Sequence, residues 1–162
     1  MGAGFGAIPG ERAIGVISDT HGLLRPEAIE ALRGSELIVH AGDIGGPRVL
    51  DDLRALAPVV AVRGNNDRDA WGWTLRGTEV VEVGDVHLYV LHDLHDLDVD
   101  PGAAGFRAVI SGHSHRPLIE ERKGVLYLNP GSAGPRRFSL PIAVARLRVT
   151  GTSLSAEIVE LS

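Results

Sequence analysis

Five times along this chain a short apolar run breaks off into a cluster of Asp, Asn, His and Gly. Ile14-Gly15-Val16-Ile17 leads into Ser18-Asp19-Thr20-His21-Gly22, and Leu37-Ile38-Val39 leads into His40-Ala41-Gly42-Asp43. Val59-Val60-Ala61-Val62 leads into Arg63-Gly64-Asn65-Asn66-Asp67, Leu88-Tyr89-Val90-Leu91 into His92-Asp93, and Ala108-Val109-Ile110 into Ser111-Gly112-His113-Ser114-His115. Short runs rich in Val, Ile and Leu, bounded by turn residues, read as buried strands. Each of these strands therefore delivers polar side chains to its carboxyl end. In α/β sheets that edge is where ligand sites assemble, because its loops converge on one crevice. A fold that satisfies this chain must bring five strand ends together.

The segments between the runs indicate how. Arg25–Leu32 has a helical pattern, with Pro26 suited to the first turn and Gly34 to the stop. Pro47–Ala57 carries Val49, Leu50, Leu53 and Leu56 on one stripe and closes before Pro58. Strands alternating with helices predict βαβ units and parallel pairing in the front half. The back half reads as mostly antiparallel: Glu79–Val83 with Val86–Leu91, Pro117–Glu121 with Gly124–Leu128, and Ile142–Val149 with Leu154–Leu161 are hairpin candidates. Residues 1–12, opening MGAGFGAIPG, are expected to form a flexible leader, and residues 13–162 a single domain.

The side chains at the strand ends are chemically specific. Asp19, His21, Asp43, Asn65, His92, His113 and His115 mix imidazole with oxygen donors, a set suited to Mn, Fe, Ni, Co or Zn. Seven donors exceed the needs of one tetrahedral site, whereas two ions sharing a carboxylate would use them all. Such pairs sit roughly 3.5–4 Å apart and serve in-line displacement at phosphorus. One Asp-x-His or Gly-Asp alone is an ordinary turn; five such clusters at successive strand ends are not explained by packing.

Composition narrows the partners. With 16 Lys plus Arg against 21 Asp plus Glu the formal charge is −5, which disfavours long nucleic acid and anionic membrane. A small phosphorylated substrate remains compatible. The absence of cysteine removes disulfides, thiolate nucleophiles and zinc fingers. No apolar run approaches the roughly 18 residues of a membrane span, and the opening residues lack the pattern of a signal peptide. A cytoplasmic protein is expected, and an apolar edge or helix would suit a homodimer.

The set Asp19-Thr20-His21, Gly42-Asp43, Gly64-Asn65-Asn66-Asp67, His92 and Gly112-His113-Ser114-His115 resembles the calcineurin-like metallophosphoesterases. The short length and Asn129-Pro130-Gly131-Ser132 resemble their small phosphodiesterase branch, the YfcE/MJ0936 type related to Vps29. The resemblance implies a four-layer αββα sandwich of two mixed β-sheets flanked by helices. It implies one metal on Asp19, His21 and His115, another on Asn65, His92 and His113, and Asp43 bridging them. Manganese is the first expectation, with Ni, Fe, Co, Zn or Mg as alternatives. The implied activity is hydrolysis of small phosphodiesters by a hydroxide activated between the ions. The alternatives are a non-catalytic Vps29-like protein-binding scaffold and a phosphomonoesterase.

Three departures from the family pattern matter. Where many members carry a His that protonates the leaving group, this chain has Asn66, which is no general acid but can hydrogen-bond a phosphate oxygen. Good leaving groups and activated diesters should be preferred. Asp93 follows His92 where the family usually has Gly; with His95 it belongs either to a solvated acidic loop or to the substrate rim, orienting a ligand. Gly45 and Gly46 replace a second aspartate, leaving Asp67 to support the ligands from behind. Asp43, Asn66 and Asp67 are thus the candidate catalytic residues, and Asn66, Arg136 and Arg137 the candidate substrate contacts, an Arg suiting phosphate. His40 reads as a satisfied buried histidine or a donor to a ligand, Arg63 and Arg68 as surface, and Trp71 and Trp73 as a platform or as packing.

Overall fold

The computed structural model describes residues 5, 6 and 8–161; part of the expected leader, residues 1–4 and 7, lies outside them. The first sheet contains β1 (Arg12–Ile17), β2 (Leu37–His40), β3 (Val59–Ala61), β9 (Ala143–Thr150) and β10 (Ser153–Glu160), in the order β10-β9-β1-β2-β3. The second contains β4 (Thr78–Val83), β5 (Val86–Leu91), β6 (Phe106–Ile110), β7 (Leu118–Arg122) and β8 (Val125–Asn129), in the order β4-β5-β6-β8-β7. The helices are α1 (Pro26–Leu32) and α2 (Pro47–Arg54), each opening on its proline. Within the leader span, Phe5 is buried, and the guanidinium groups of Arg146 and Arg148 lie 5.4 and 5.0 Å from its ring centre.

The two sheets face each other. Strand alternation sends Ile14 and Val16 of β1, Leu88 and Val90 of β5, Ile110 of β6 and Leu147 of β9 into one shared core. The opposite face of the first sheet, with Ile17, Ile38 and Val144, packs on Leu32 of α1 and on Leu50 and Leu53 of α2. Each large aliphatic side chain so buried stabilises the fold by roughly 1.5–3 kcal/mol, which lets the scaffold hold unfavourable loops.

Both sheets are mixed, as the family resemblance implies. The back half is mostly antiparallel, as expected, with a parallel centre that was not expected. The β4–β5 and β7–β8 hairpins are antiparallel, yet β5, β6 and β8 run parallel to one another. Parallel neighbours need a crossover of about a dozen residues, and the segment 92–105 supplies one between β5 and β6. The β9–β10 hairpin leaves the second sheet altogether and pairs antiparallel with β1. Over the outer face of the second sheet, Leu94 and Leu97 cover Tyr89, Val109 and Val125. They lie in and beside a 3-10 turn, Leu94–Asp96, because the Asp-, Pro- and Gly-rich stretch that follows does not sustain an α-helix.

Candidate metal centre

The loops after β1, β2, β5 and β6 continue the strand pairing past the sheet edges. Asp19 N donates to Gly42 O at 3.0 Å, His21 N to Asp43 O at 2.9 Å and Gly112 N to His92 O at 2.9 Å. Five of the seven expected ligands sit in left-handed backbone: Asp19 (φ 55°), His21 (47°), Asp43 (56°), His113 (71°) and His115 (63°). Side chains at such angles cost about 1–3 kcal/mol each and concentrate at functional sites. The left-handed residue turns its side chain back over the strand end instead of letting it run on. Gly64 allows the third loop to close in, since a Cβ there would collide with the backbone nitrogen and carboxylate of Asp43.

The side chains converge. His115 Nε2 lies 3.4 Å from Asp19 Oδ1, His21 Nε2 lies 3.9 Å from the same oxygen, and His92 Nε2 lies 3.4 Å from Asp43 Oδ2. His21 Nε2 also approaches Asp43 Oδ2 at 3.8 Å, so Asp43 lies between the two halves. Asp19 and Asp43 are almost fully buried. Asp19 Oδ2 accepts from the Ser18 hydroxyl at 2.7 Å and from His113 N at 3.1 Å, while Oδ1 is left without a hydrogen bond. His92 Nδ1 donates to Ala41 O at 2.7 Å, which leaves the lone pair on Nε2; that nitrogen and His21 Nε2 are likewise buried without a hydrogen-bond partner. Buried polar atoms are ordinarily paired. Convergent carboxylate and imidazole orphans from the loops after β1 and β5 are what a divalent cation satisfies, so these residues fit the metal that the donor set calls for.

The electrostatics agree. Burial alone would raise the Asp43 carboxyl, but the adjacent His92 imidazole and the Asn66 N–H bring it down to about 2. Asp19 is lowered in the same way: burial opposes ionisation, and His115, His92 and Ser18 outweigh it. For His92, burial disfavours the proton, but Asp43 and Asp19 raise its pKa. Two buried carboxylates kept ionised demand compensating positive charge, which a proton on His92 supplies only in part.

Asn65 and His113 form a pair beside this cluster. His113 Nδ1 donates to Asn65 Oδ1 at 3.1 Å, and its ring centre lies 5.2 Å from that of His92. Asp93 reaches this pair: Oδ2 lies 3.6 Å from His113 Nε2, while Oδ1 accepts from His95 N and Nδ1 at 3.0 Å. His95 itself points into solvent. Asn66 faces Asp43, and the buried Asp67 carboxylate accepts from the N–H groups of Ile44, Gly45 and Gly64. Asp67 thus ties the second ligand loop to the third, and its oxygens are occupied by backbone. Arg136 and Arg137 are exposed on a loop leading from Gly134, which abuts the carbonyls of Asp19 and Thr20.

His40 is fully buried and neutral. Thr20 Oγ1 donates to Ile44 O, so His40 Nε2 donates to Thr20 Oγ1 at 3.0 Å, and His40 Nδ1 accepts from Gly42 N at 3.1 Å. Burial pushes its pKa down to about 4. Arg63 is half-buried, stacked 4.1 Å from the ring centre of the exposed Trp73, and its guanidinium donates to Leu75 O. Trp71 packs against α2's cluster. Sequence reasoning missed Ser18; its signal was a small hydroxyl directly before a ligand.

Residues 13–152 match the model of the calcineurin-like phosphoesterase superfamily domain. The chain belongs to that superfamily. A probable metallophosphoesterase of Methanothermobacter thermautotrophicus is 42% identical over 157 residues, covering 90% of this chain and 91% of the relative. A phosphodiesterase of Methanocaldococcus jannaschii is 30% identical over 136 residues, covering 73% of this chain and 82% of the relative. Vps29 of Chaetomium thermophilum shares the fold with a TM-score of 0.80 at 21% identity, over 93% of this chain and 89% of that one. The phosphoesterase domain has no helix long and apolar enough to cross a membrane among its described residues.

Proposed function

We propose that this phosphoesterase holds two divalent metal ions, manganese first among them, and hydrolyses small phosphodiesters. Asp19, His21 and His115 would hold one ion, Asn65, His92 and His113 the other, with Asp43 shared. The observation that carries the reading is the set of buried, unpartnered ligand atoms, Asp19 Oδ1, His21 Nε2 and His92 Nε2, grouped around two ionised carboxylates. When bound, such ions neutralise phosphate oxygens and make water acidic enough to attack at neutral pH.

The chain's own residues prepare that chemistry. Ala41 O fixes the His92 tautomer so that Nε2 faces inward. Asn66 keeps Asp43 ionised and oriented through two hydrogen bonds. Neither Asn66 nor the backbone-bound Asp67 offers a proton to a leaving alkoxide, which favours esters whose leaving group needs none. One of Arg136 and Arg137 would fold in to contact a phosphate oxygen with its forked guanidinium. A protein-binding scaffold has no use for strained, unpartnered histidines, so the catalytic reading is preferred over the Vps29-like one.

The test is a metal-by-substrate panel on chelator-treated protein. Manganese should restore turnover of bis-p-nitrophenyl phosphate, with phosphoserine slower, and elemental analysis should find two ions per chain. Turnover undiminished in metal-free protein would sink the proposal.

A further inference from the structure

Asp93 separates two clefts of different character that both reach the ligand cluster. On one side Arg63, Thr78 and Asp96 line a cleft of about 330 Å³, of mixed character and more polar than its neighbour, that touches Asn65 and His92. On the other, Leu94, Pro117 and Leu118 line an apolar cleft of about 350 Å³, with His113 as the wall nearest the ligands and His95 and Arg116 at its rim. We propose that the apolar cleft binds an uncharged aromatic or heteroaromatic ester arm of the substrate.

The cleft is continuous with the site through His113, whose Nδ1 is 3.1 Å from Asn65 and whose ring is 5.2 Å from that of His92. A group in the cleft therefore lies against the His113 ring, whose other neighbours are Asn65 and His92. Its volume falls at the lower end of small-ligand sites, roughly 300–1,000 Å³, which suits one ring system and not an oligonucleotide.

Its walls are fixed in advance. Asn129 Nδ2 donates to Gly112 O at 2.9 Å and to Ser114 Oγ at 3.2 Å, and Ser114 Oγ accepts from Arg116 N at 3.1 Å. Gly131, at φ 82°, lets the Asn129–Ser132 turn press on Pro117, where a Cβ would come within 2.9 Å of Pro117 Cγ. On the facing wall Leu94 is anchored in the cluster over the second sheet. Pre-formed apolar walls bind without an ordering cost. The lining carries one carboxylate, Asp93, against one guanidinium, Arg116, so it offers a charged arm no net attraction, and its apolar walls favour an uncharged one. A phosphodiester has two arms and a monoester one, so two clefts meeting at one cluster also suit the diester reading, on which this inference rests.

The test uses the manganese-loaded protein with two single-arm probes, phenylphosphonate and methylphosphonate. Phenylphosphonate should compete with bis-p-nitrophenyl phosphate about tenfold more tightly than methylphosphonate, and in protein loaded with diamagnetic zinc it should shift the methyl resonances of Leu94 and Leu118. Leu118→Gln, or Leu94→Gln if the first variant folds poorly, should weaken phenylphosphonate about tenfold and leave methylphosphonate unaffected. Equal competition by both probes, or equal weakening by either variant, overturns the cleft assignment while diester turnover stands. Absence of diester turnover with every metal overturns the phosphodiesterase reading itself.

Discussion

Asn66 holds both oxygens of Asp43: its backbone N–H donates to Oδ1 at 2.8 Å and its side-chain amide to Oδ2 at 3.0 Å. Asn66 thereby orients the carboxylate proposed to be shared. Asn66→Ala keeps the backbone bond and loses the other, so manganese affinity should fall about 10–100-fold. Asn66→Asp keeps the shape but sets a like charge beside Asp43, so in metal-free protein it should raise the Asp43 pKa above its depressed value. Equilibrium dialysis of manganese and carboxyl titration by NMR measure the two effects. Unchanged affinity in Asn66→Ala would show that the amide bond is incidental.

Asp67 joins the loops after β2 and β3 through the N–H groups of Ile44, Gly45 and Gly64. Asp67→Ala orphans several buried donors at once, each costing about 1–3 kcal/mol. The variant should lose several kcal/mol in urea unfolding, and Asp67→Asn, which keeps an acceptor, should lose less. A turnover defect without a stability defect would instead place the carboxylate on the reacting groups.

Much of this was legible beforehand, for reasons that the residues make plain. The convergence of Asp19, His21, Asp43, His92 and His115 was readable because such side chains recur at successive strand ends, a pattern that packing does not explain. The β4–β5 and β7–β8 hairpins were readable because their turns are local. The parallel pairing of β5, β6 and β8 was not, since nothing between two hairpins states which strands become neighbours. Asp67 was expected behind the ligands, but Ser18, which donates to Asp19 Oδ2, and Asn129, which donates to Gly112 O, were not, because a hydroxyl or amide looks the same in sequence whether or not folding brings it a partner. The left-handed backbone of five ligands was hidden because non-glycine residues seldom adopt it.

That strain has a measurable sign. His113 adopts φ 71° in a loop where glycine would be at ease. In metal-free protein His113→Gly should therefore be more stable than His113→Ala by about 1 kcal/mol, although both lose the same imidazole. Thermal unfolding in chelator decides it. If His113→Ala proves equal or better, the left-handed turn carries no stored cost, and the argument from strain to function weakens.

His40 makes a pH prediction separable from the ligands. Buried and neutral, it has a folded pKa of about 4 against 6.5 for the free side chain. Between these values the unfolded chain binds a proton that the folded protein refuses, so stability is full above pH 6.5 and falls as the pH drops toward 4. The window corresponds to about 3 kcal/mol in total. Asp43, held at about 2, adds its own loss only below its unfolded value near 3.8. The raised His92 acts in the opposite direction: its contribution is full below 6.5 and is lost as the pH rises through its folded pKa. Glu157, lowered from 4.5 by Arg148, adds its loss only below that value, so the slope between pH 4.5 and 6.5 belongs to His40. Urea unfolding of metal-free protein across this range should show it, and His40→Gln, which does not titrate, should flatten it. The variant should also lose about 1–3 kcal/mol at pH 8, where Gly42 N–H no longer has its acceptor. Parallel curves for the two proteins would mean that His40 takes up its proton in the fold, and that the Thr20–His40–Gly42 bridge between the first two ligand loops does not depend on a neutral ring.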